Sequence, residues 1–324
     1  MEIRNIIIII VCATAALVAL LLFAITLLSE KLAFGTRSDK NPFLKYFTAE
    51  DFNLTAQSVT LTKGLKGLIY NKENIPQKDK LIIFCHGMGP GHIAYTTEIA
   101  YFCNKGFTVL AVDSRGCNLS EGKNSKGMYS GVQTVISAID FARENGYKDI
   151  SLVGHSWGAY SALCASAKRK VNKVVAISAP DTPAGTMAEG AVNMGALPRP
   201  LVALLRPFWG FVNLLKYGMK GNSSAAKSAK KNDTPTLLIH GDMDRAVTLK
   251  KSAFNKANGK YITKYLAEGK AHNPYNTENA EIKLAELSDK LKTNDFAGLA
   301  NFDYKAATEE DEEVMQSIVN FICD

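Results

Sequence analysis

Gly154-His155-Ser156-Trp157-Gly158 follows the short apolar run Ile150–Val153 and opens a stretch of helix formers. This is G-x-S-x-G in a strand–turn–helix setting. The turn is tight. Bulky side chains at either glycine would collide with the neighbouring strand and helix, and the serine hydroxyl is pushed out over the carboxyl end of a sheet. The pattern makes Ser156 a nucleophile candidate rather than an ordinary helix-capping serine.

Outward from the elbow, short β-rich runs alternate with longer helical stretches. Strands are expected at Leu81–Cys85, Phe107–Val112, Ile150–Val153, Lys173–Ser178, Thr236–His240 and Tyr261–Leu266. Helices are expected near 94–105, 127–145, 156–168 and 247–258. The strands are almost continuously apolar, as when helices cover both faces of a parallel sheet. Val59–Thr62 and Leu65–Tyr70 flank Lys63-Gly64, a hairpin signal. The fold class is therefore α/β: a doubly wound, mostly parallel sheet whose first strands are antiparallel. Thr308 is positioned to cap a last helix with Val314, Met315, Ile318, Val319 and Ile322 on one face.

A serine hydroxyl is a poor nucleophile until a base takes its proton, and imidazole titrates near neutral pH. A carboxylate then holds that imidazole in the useful tautomer. His272 lies in a late loop, Gly269-Lys270-Ala271-His272-Asn273, past a predicted strand. The acid is sought in His240-Gly241-Asp242-Met243-Asp244, with Asp244 preferred on loop position and Asp242 as the alternative. The oxyanion hole needs backbone N–H groups facing the developing charge. One is assigned to Trp157, after the nucleophile. The other is assigned to Met88, in His86-Gly87-Met88-Gly89-Pro90-Gly91. That loop lacks the Gly-Lys-Ser/Thr ending of a phosphate cradle.

These residues, together with Asp113-Ser114-Arg115-Gly116-Cys117-Asn118-Leu119-Ser120, resemble the α/β-hydrolase fold. The likeness is to the broad group of monoacylglycerol-lipase-like and serine-aminopeptidase-like hydrolases, over roughly residues 56–280. Asn118 stands where that group usually has a second glycine; Asn tolerates left-handed backbone better than most residues. The resemblance implies a serine hydrolase with this triad, working through an acyl-enzyme with no cofactor and no metal, and it specifies the substrate hardly at all. A small-molecule carboxylic ester, lipid-like esters and thioesters included, is expected because nothing marks a peptide-binding subsite. Alternatives are an acyltransferase using the same triad and a non-catalytic binding scaffold.

Residues 181–232 are too long for a simple crossover and correspond to a cap insertion in such hydrolases. Leu201, Leu204, Leu205 and Phe208 recur at helical spacing, interrupted by Pro207 and Gly210, with Arg199, Arg206, Lys216 and Lys220 among them. Two short amphipathic helices are expected, either lining an acyl site near the bilayer or packed down as a plain cap. Residues 221–232 read as a mobile return loop.

Residues 6–28 carry no charge and would span about 35 Å as a helix, against a hydrocarbon core of about 30 Å. This exceeds the apolar stretch of a cleavable signal. The chain thus divides into a transmembrane anchor (1–28), a juxtamembrane linker (29–55) and a hydrolase domain (56–324). Nothing in the linker patterns as core, so the anchor reads as detachable. Arg4 precedes the segment; Lys31, Arg37, Lys40 and Lys45 follow it, which favours a cytoplasmic domain by the positive-inside rule. The net charge of +7 comes from scattered Lys and Arg, without a basic stripe and interleaved aromatics, so nucleic acid is a poor partner. The six cysteines form no C-x-x-C pair, against a zinc or thioredoxin-like redox motif. Oligomeric state is not legible.

Overall fold

The computed structural model describes residues 3–75, 79–193 and 195–324. Eight strands form one sheet: β1 Thr55–Thr60, β2 Lys66–Asn71, β3 Leu81–Cys85, β4 Thr108–Val112, β5 Ile150–His155, β6 Lys173–Ile177, β7 Thr236–Gly241 and β8 Ile262–Ala267. Their order is β1-β2-β4-β3-β5-β6-β7-β8. β1 and β2 form an antiparallel hairpin, and β2 meets β4 antiparallel. The remaining pairs are parallel. The chain leaves β3 toward β4 and returns across it to β5. Loops after β3 and β5 therefore diverge at a topological switch point, where such sheets bind ligands.

The helices are α1 Ile3–Phe34, α2 Thr96–Asn104, α3 Tyr129–Glu144, α4 Trp157–Ser166, α5 Pro183–Asn193, α6 Arg199–Tyr217, α7 Ala225–Lys231, α8 Ala253–Lys256, α9 Glu278–Lys292, α10 Phe296–Ala300 and α11 Glu312–Cys323. Strand alternation sorts the core into two layers. Leu81, Ile83, Leu110, Leu152 and Val174 face α3 and α4. Ile82, Phe84, Val109, Val153 and Val175 face α2 and α11. This two-sided burial is why the central strands read as unbroken apolar runs.

Several expectations change. The helix over 247–258 reduces to a 3-10 turn and the four-residue α8, because Ser252 caps a new start there. The stretch 221–232 contains α7, capped by Ser224. α11 is capped by Asp311, not Thr308; its carboxylate accepts from the Glu313 and Val314 N–H groups. Asn118 adopts φ 36°, so the turn does form without the glycine.

The cap is one hairpin, α5–α6. α6 is a single helix with Pro207 inside it, not two short ones. Pro207 is on the exposed side, so the backbone carbonyl it leaves without an intrahelical donor can face water. Ala188, Val202, Leu205 and Trp209 form the cap's own small core. α1 also runs past Leu28 to Phe34, through the start of the expected linker. Its Leu22 and Ile25 pack on the cap core. The Trp209 indole N–H donates to Ser29 Oγ at 2.8 Å, and Lys216 pairs with buried Glu30 at 2.6 Å. The last third of α1 is thus part of the cap, contrary to its reading as detachable.

Candidate active site

Ser156 sits between β5 and α4 with φ 52° and ψ −114°. A non-glycine residue rarely adopts this conformation, and its cost is held by the surrounding structure. A Cβ on Gly158 would lie 1.9 Å from the Cys85 carbonyl oxygen, and one on Gly154 would lie 2.6 Å from that of Gly158. These two positions are where β5, α4 and β3 touch backbone to backbone, so the G-x-S-x-G spacing is a packing requirement.

His272 Nε2 lies 3.0 Å from Ser156 Oγ, and His272 Nδ1 lies 2.8 Å from Asp244 Oδ2. The other oxygen of the Asp244 carboxylate accepts from the Ala246 and Val247 N–H groups at 2.8 and 2.9 Å. Asp244 is buried, and both of its oxygens accept hydrogen bonds. Asp242 is exposed and accepts from the Gly269 N–H at 2.7 Å, closing its own loop. Of the two candidate acids, only Asp244 meets His272.

The ring of His272 is aimed through its backbone. Its carbonyl accepts from His155 Nε2–H at 3.0 Å and from the Ser178 hydroxyl at 2.8 Å. His155 Nδ1 in turn accepts from the Tyr95 hydroxyl at 3.0 Å, and Tyr95 Oη accepts from the Gly87 N–H at 3.1 Å. Burial, helped by the neighbouring His272, pushes the His155 imidazole down to about 3, so it stays neutral in this chain of bonds. One line of hydrogen bonds therefore joins the loop after β3 to the loop holding His272.

The loop after β3 is pinned a second time. His86 Nε2 accepts from the Ser114 N–H at 2.9 Å, which leaves Nδ1–H to donate to the Gly87 carbonyl at 2.7 Å. Because a trans peptide points its C=O and N–H in opposite directions, fixing the Gly87 carbonyl fixes the direction of the Met88 N–H. Trp157 is the first residue of α4, where a backbone N–H has no intrahelical acceptor. Its indole N–H donates to the Met128 carbonyl at 2.7 Å, which holds the helix start.

The four cap residues do not behave as one lining. Leu205 is fully buried in the cap core and Leu201 packs against it. Leu204 is 58% exposed and Phe208 is half-buried. The reason is the unbroken α6, which turns one apolar stripe inward onto α5 and α1 and leaves another outside. Tyr95, Ser178 and the bracing role of His155 escape sequence reasoning. They act through hydrogen bonds between loops far apart in the chain, and only the place of His155 inside the elbow hinted at one.

The model of the alpha/beta hydrolase family matches residues 82–275. No curated protein matches the chain. Among solved structures, the Pyrococcus furiosus esterase Pf2001 is similar at 20% identity and a TM-score of 0.57, covering 81% of this chain and 97% of that one. An alpha-beta serine hydrolase homologue from Coxiella burnetii aligns at 17% identity and a TM-score of 0.47, over 74% of this chain and 96% of that one. The family match covers more than half of the residues, from β3 through the His272 loop, and the chain belongs to the alpha/beta hydrolase family.

Proposed function

We propose that this protein is a membrane-anchored serine hydrolase that cleaves carboxylic esters through an acyl-enzyme. The carrying observation is the continuous line from Ser156 Oγ through His272 to Asp244, starting on a strained elbow. His272 Nε2 takes the proton as Ser156 Oγ attacks the ester carbonyl, and Asp244 stabilises the resulting imidazolium. The oxyanion is met by the Met88 and Trp157 N–H groups. His272 returns the proton to the leaving alcohol. Water, activated by the same histidine, then releases the acid and restores Ser156. The likeness to a named esterase supports the ester reading. α1 supports the anchor, being long and apolar enough to cross a membrane by length and composition. Flanking charge favours a cytoplasmic domain.

A fluorophosphonate probe should label the wild-type protein at Ser156. Ser156→Ala should lose labelling and at least about three powers of ten in kcat on an activated ester, with the fold intact by circular dichroism. Labelling of Ser156→Ala, or retention of more than about one per cent of its activity, would refute the assignment.

A further inference from the structure

α6 carries two apolar stripes. Val202, Leu205, Trp209 and Val212 are buried against α5 and α1. On a different face, Leu204, Phe208, Phe211 and Leu215 follow at spacings of four, three and four, which aligns them along the helix. Leu204, Phe211 and Leu215 are exposed, at 58%, 48% and 64%, and Met219 continues the line just beyond the helix end. Within the protein, this second stripe meets α1 at its edge, where the rings of Phe211 and Phe23 lie 6.1 Å apart. Lys216, toward α1, is paired with Glu30, and Lys220 lies in the turn beyond the helix end.

α1 sets the depth. Its 32 residues extend about 48 Å, whereas the hydrocarbon core of a bilayer takes about 20 residues. If Ile3 to Leu22 fill that core, the following turns emerge at the headgroup level. Those turns are the ones held to α6, through Phe23, Ser29 and Glu30. The same turns leave Leu27, Leu28 and Leu32 exposed. We infer that the outer stripe of α6 is seated in the lipid interface of the bilayer that α1 crosses, so that anchor and cap hold the membrane as one unit. This rests on α1 being an anchor. A helix lying at this depth with one exposed apolar stripe suits the interface, where its apolar side chains enter the acyl boundary. Leu204 and Phe208 then face lipid rather than a bound acyl chain.

The test uses the full chain in phosphatidylcholine vesicles, with and without acyl chains brominated near the headgroup. Leu215→Trp and, separately, Leu204→Trp report on the stripe, because the native Trp157 and Trp209 are buried. Glu144→Trp, at the far end of α3 from the carboxyl edge of the sheet, is the control. Bromination should quench the added emission of both stripe variants at least twofold more than that of Glu144→Trp. Equal quenching at all three sites, in protein that resists alkaline extraction, overturns the inference and leaves the anchor standing. Emission that is blue-shifted but unquenched assigns the stripe to a second copy of the chain and also overturns it. Release of the wild type by alkaline extraction overturns the anchor, and the inference with it.

Discussion

Asp244→Asn should cost about four powers of ten in kcat/KM, and the structure says why the nearly isosteric change is so damaging. In the wild type, Asp244 Oδ1 receives two backbone N–H groups, from Ala246 and Val247. An asparagine at this site has one acceptor and one donor. Its oxygen must stay with the two N–H groups, because turning the NH2 toward them would set donors against donors in a buried site. The NH2 therefore faces His272 Nδ1, now 2.8 Å from a carboxylate oxygen. Nδ1 becomes the acceptor, and the ring proton moves to Nε2, facing Ser156 Oγ. In that tautomer the imidazole cannot take the serine proton. Loss of the correct tautomer in a serine triad costs about 10⁴, or roughly 5.4 kcal/mol of transition-state stabilisation. Asp242→Asn keeps the acceptor oxygen that the Gly269 N–H needs, so it should stay within about threefold of wild type. Steady-state hydrolysis of a p-nitrophenyl ester near neutral pH separates the two. A tenth or more of the wild-type rate in Asp244→Asn, or an equal loss in Asp242→Asn, would show that the acid does not work through this geometry.

Shortening α1 probes the cap. A chain beginning at Leu22 should melt as the intact domain does, whereas one beginning at Ser29 loses Leu22 and Ile25 from the cap core around Trp209, and buried Thr26 with them. Uncovering that core is worth roughly 2–3 kcal/mol, or roughly 4–10 °C in Tm; equal melting curves would refute the packing role. Glu310→Gln probes pH. Burial, reinforced by Glu98 and Glu312, pushes the Glu310 carboxyl up to about 9, and its buried Oε1 lacks a hydrogen-bond partner among the described residues. A raised folded pKa means stability is present below the ordinary value of 4.5 and lost as pH rises toward about 9. Glutamine, which does not titrate, should thus raise Tm at pH 8 and leave it unchanged at pH 4; a shift that does not vary with pH would refute the burial argument.

The sheet was legible because its strands are buried on both faces, so each is an apolar run with little polar interruption. The elbow was legible because backbone contact at Gly154 and Gly158 restricts both positions to glycine. Asp244 and His272 were found through the loops at the ends of β7 and β8, where chain order limits the choice. The cap was less legible, since Pro207 ordinarily marks a helix end. Here it sits on the exposed face of a helix held from the other side by Trp209 and Leu205. The segment α9–α10 gave no expectation at all. In α9 only Ala280 is fully buried, so the sequence has no strong apolar stripe to read. The hydrogen bonds from Gly87 to His272 are invisible to any local pattern, because they join residues brought together only by the assembled sheet.

Those bonds also bear on why one histidine among five is suited to be the base. A general base needs a free nitrogen facing the nucleophile and a partner on the other nitrogen. His86 has both nitrogens engaged, by the Ser114 N–H and the Gly87 carbonyl. His155 lies beside Ser156 in sequence, but its nitrogens are taken by Tyr95 and the His272 carbonyl. His240 comes within 3.5 Å of Asp244, yet its Nε2–H is directed to the Val247 carbonyl. Burial lowers the imidazole pKa of all three, which disfavours the imidazolium that a base must become. His92 does have a carboxylate, Asp113, at 2.8 Å, but the Asp113 side chain also binds the His92 and Leu119 N–H groups, and His92 Nε2 is enclosed in the core. That pair holds the turn after β4 rather than facing a serine. His272 alone among the five couples a carboxylate on Nδ1 to a serine hydroxyl on Nε2, and its side chain keeps enough exposure for a substrate to approach. In the proposed mechanism, His272 is left to be the base because the other imidazoles are occupied.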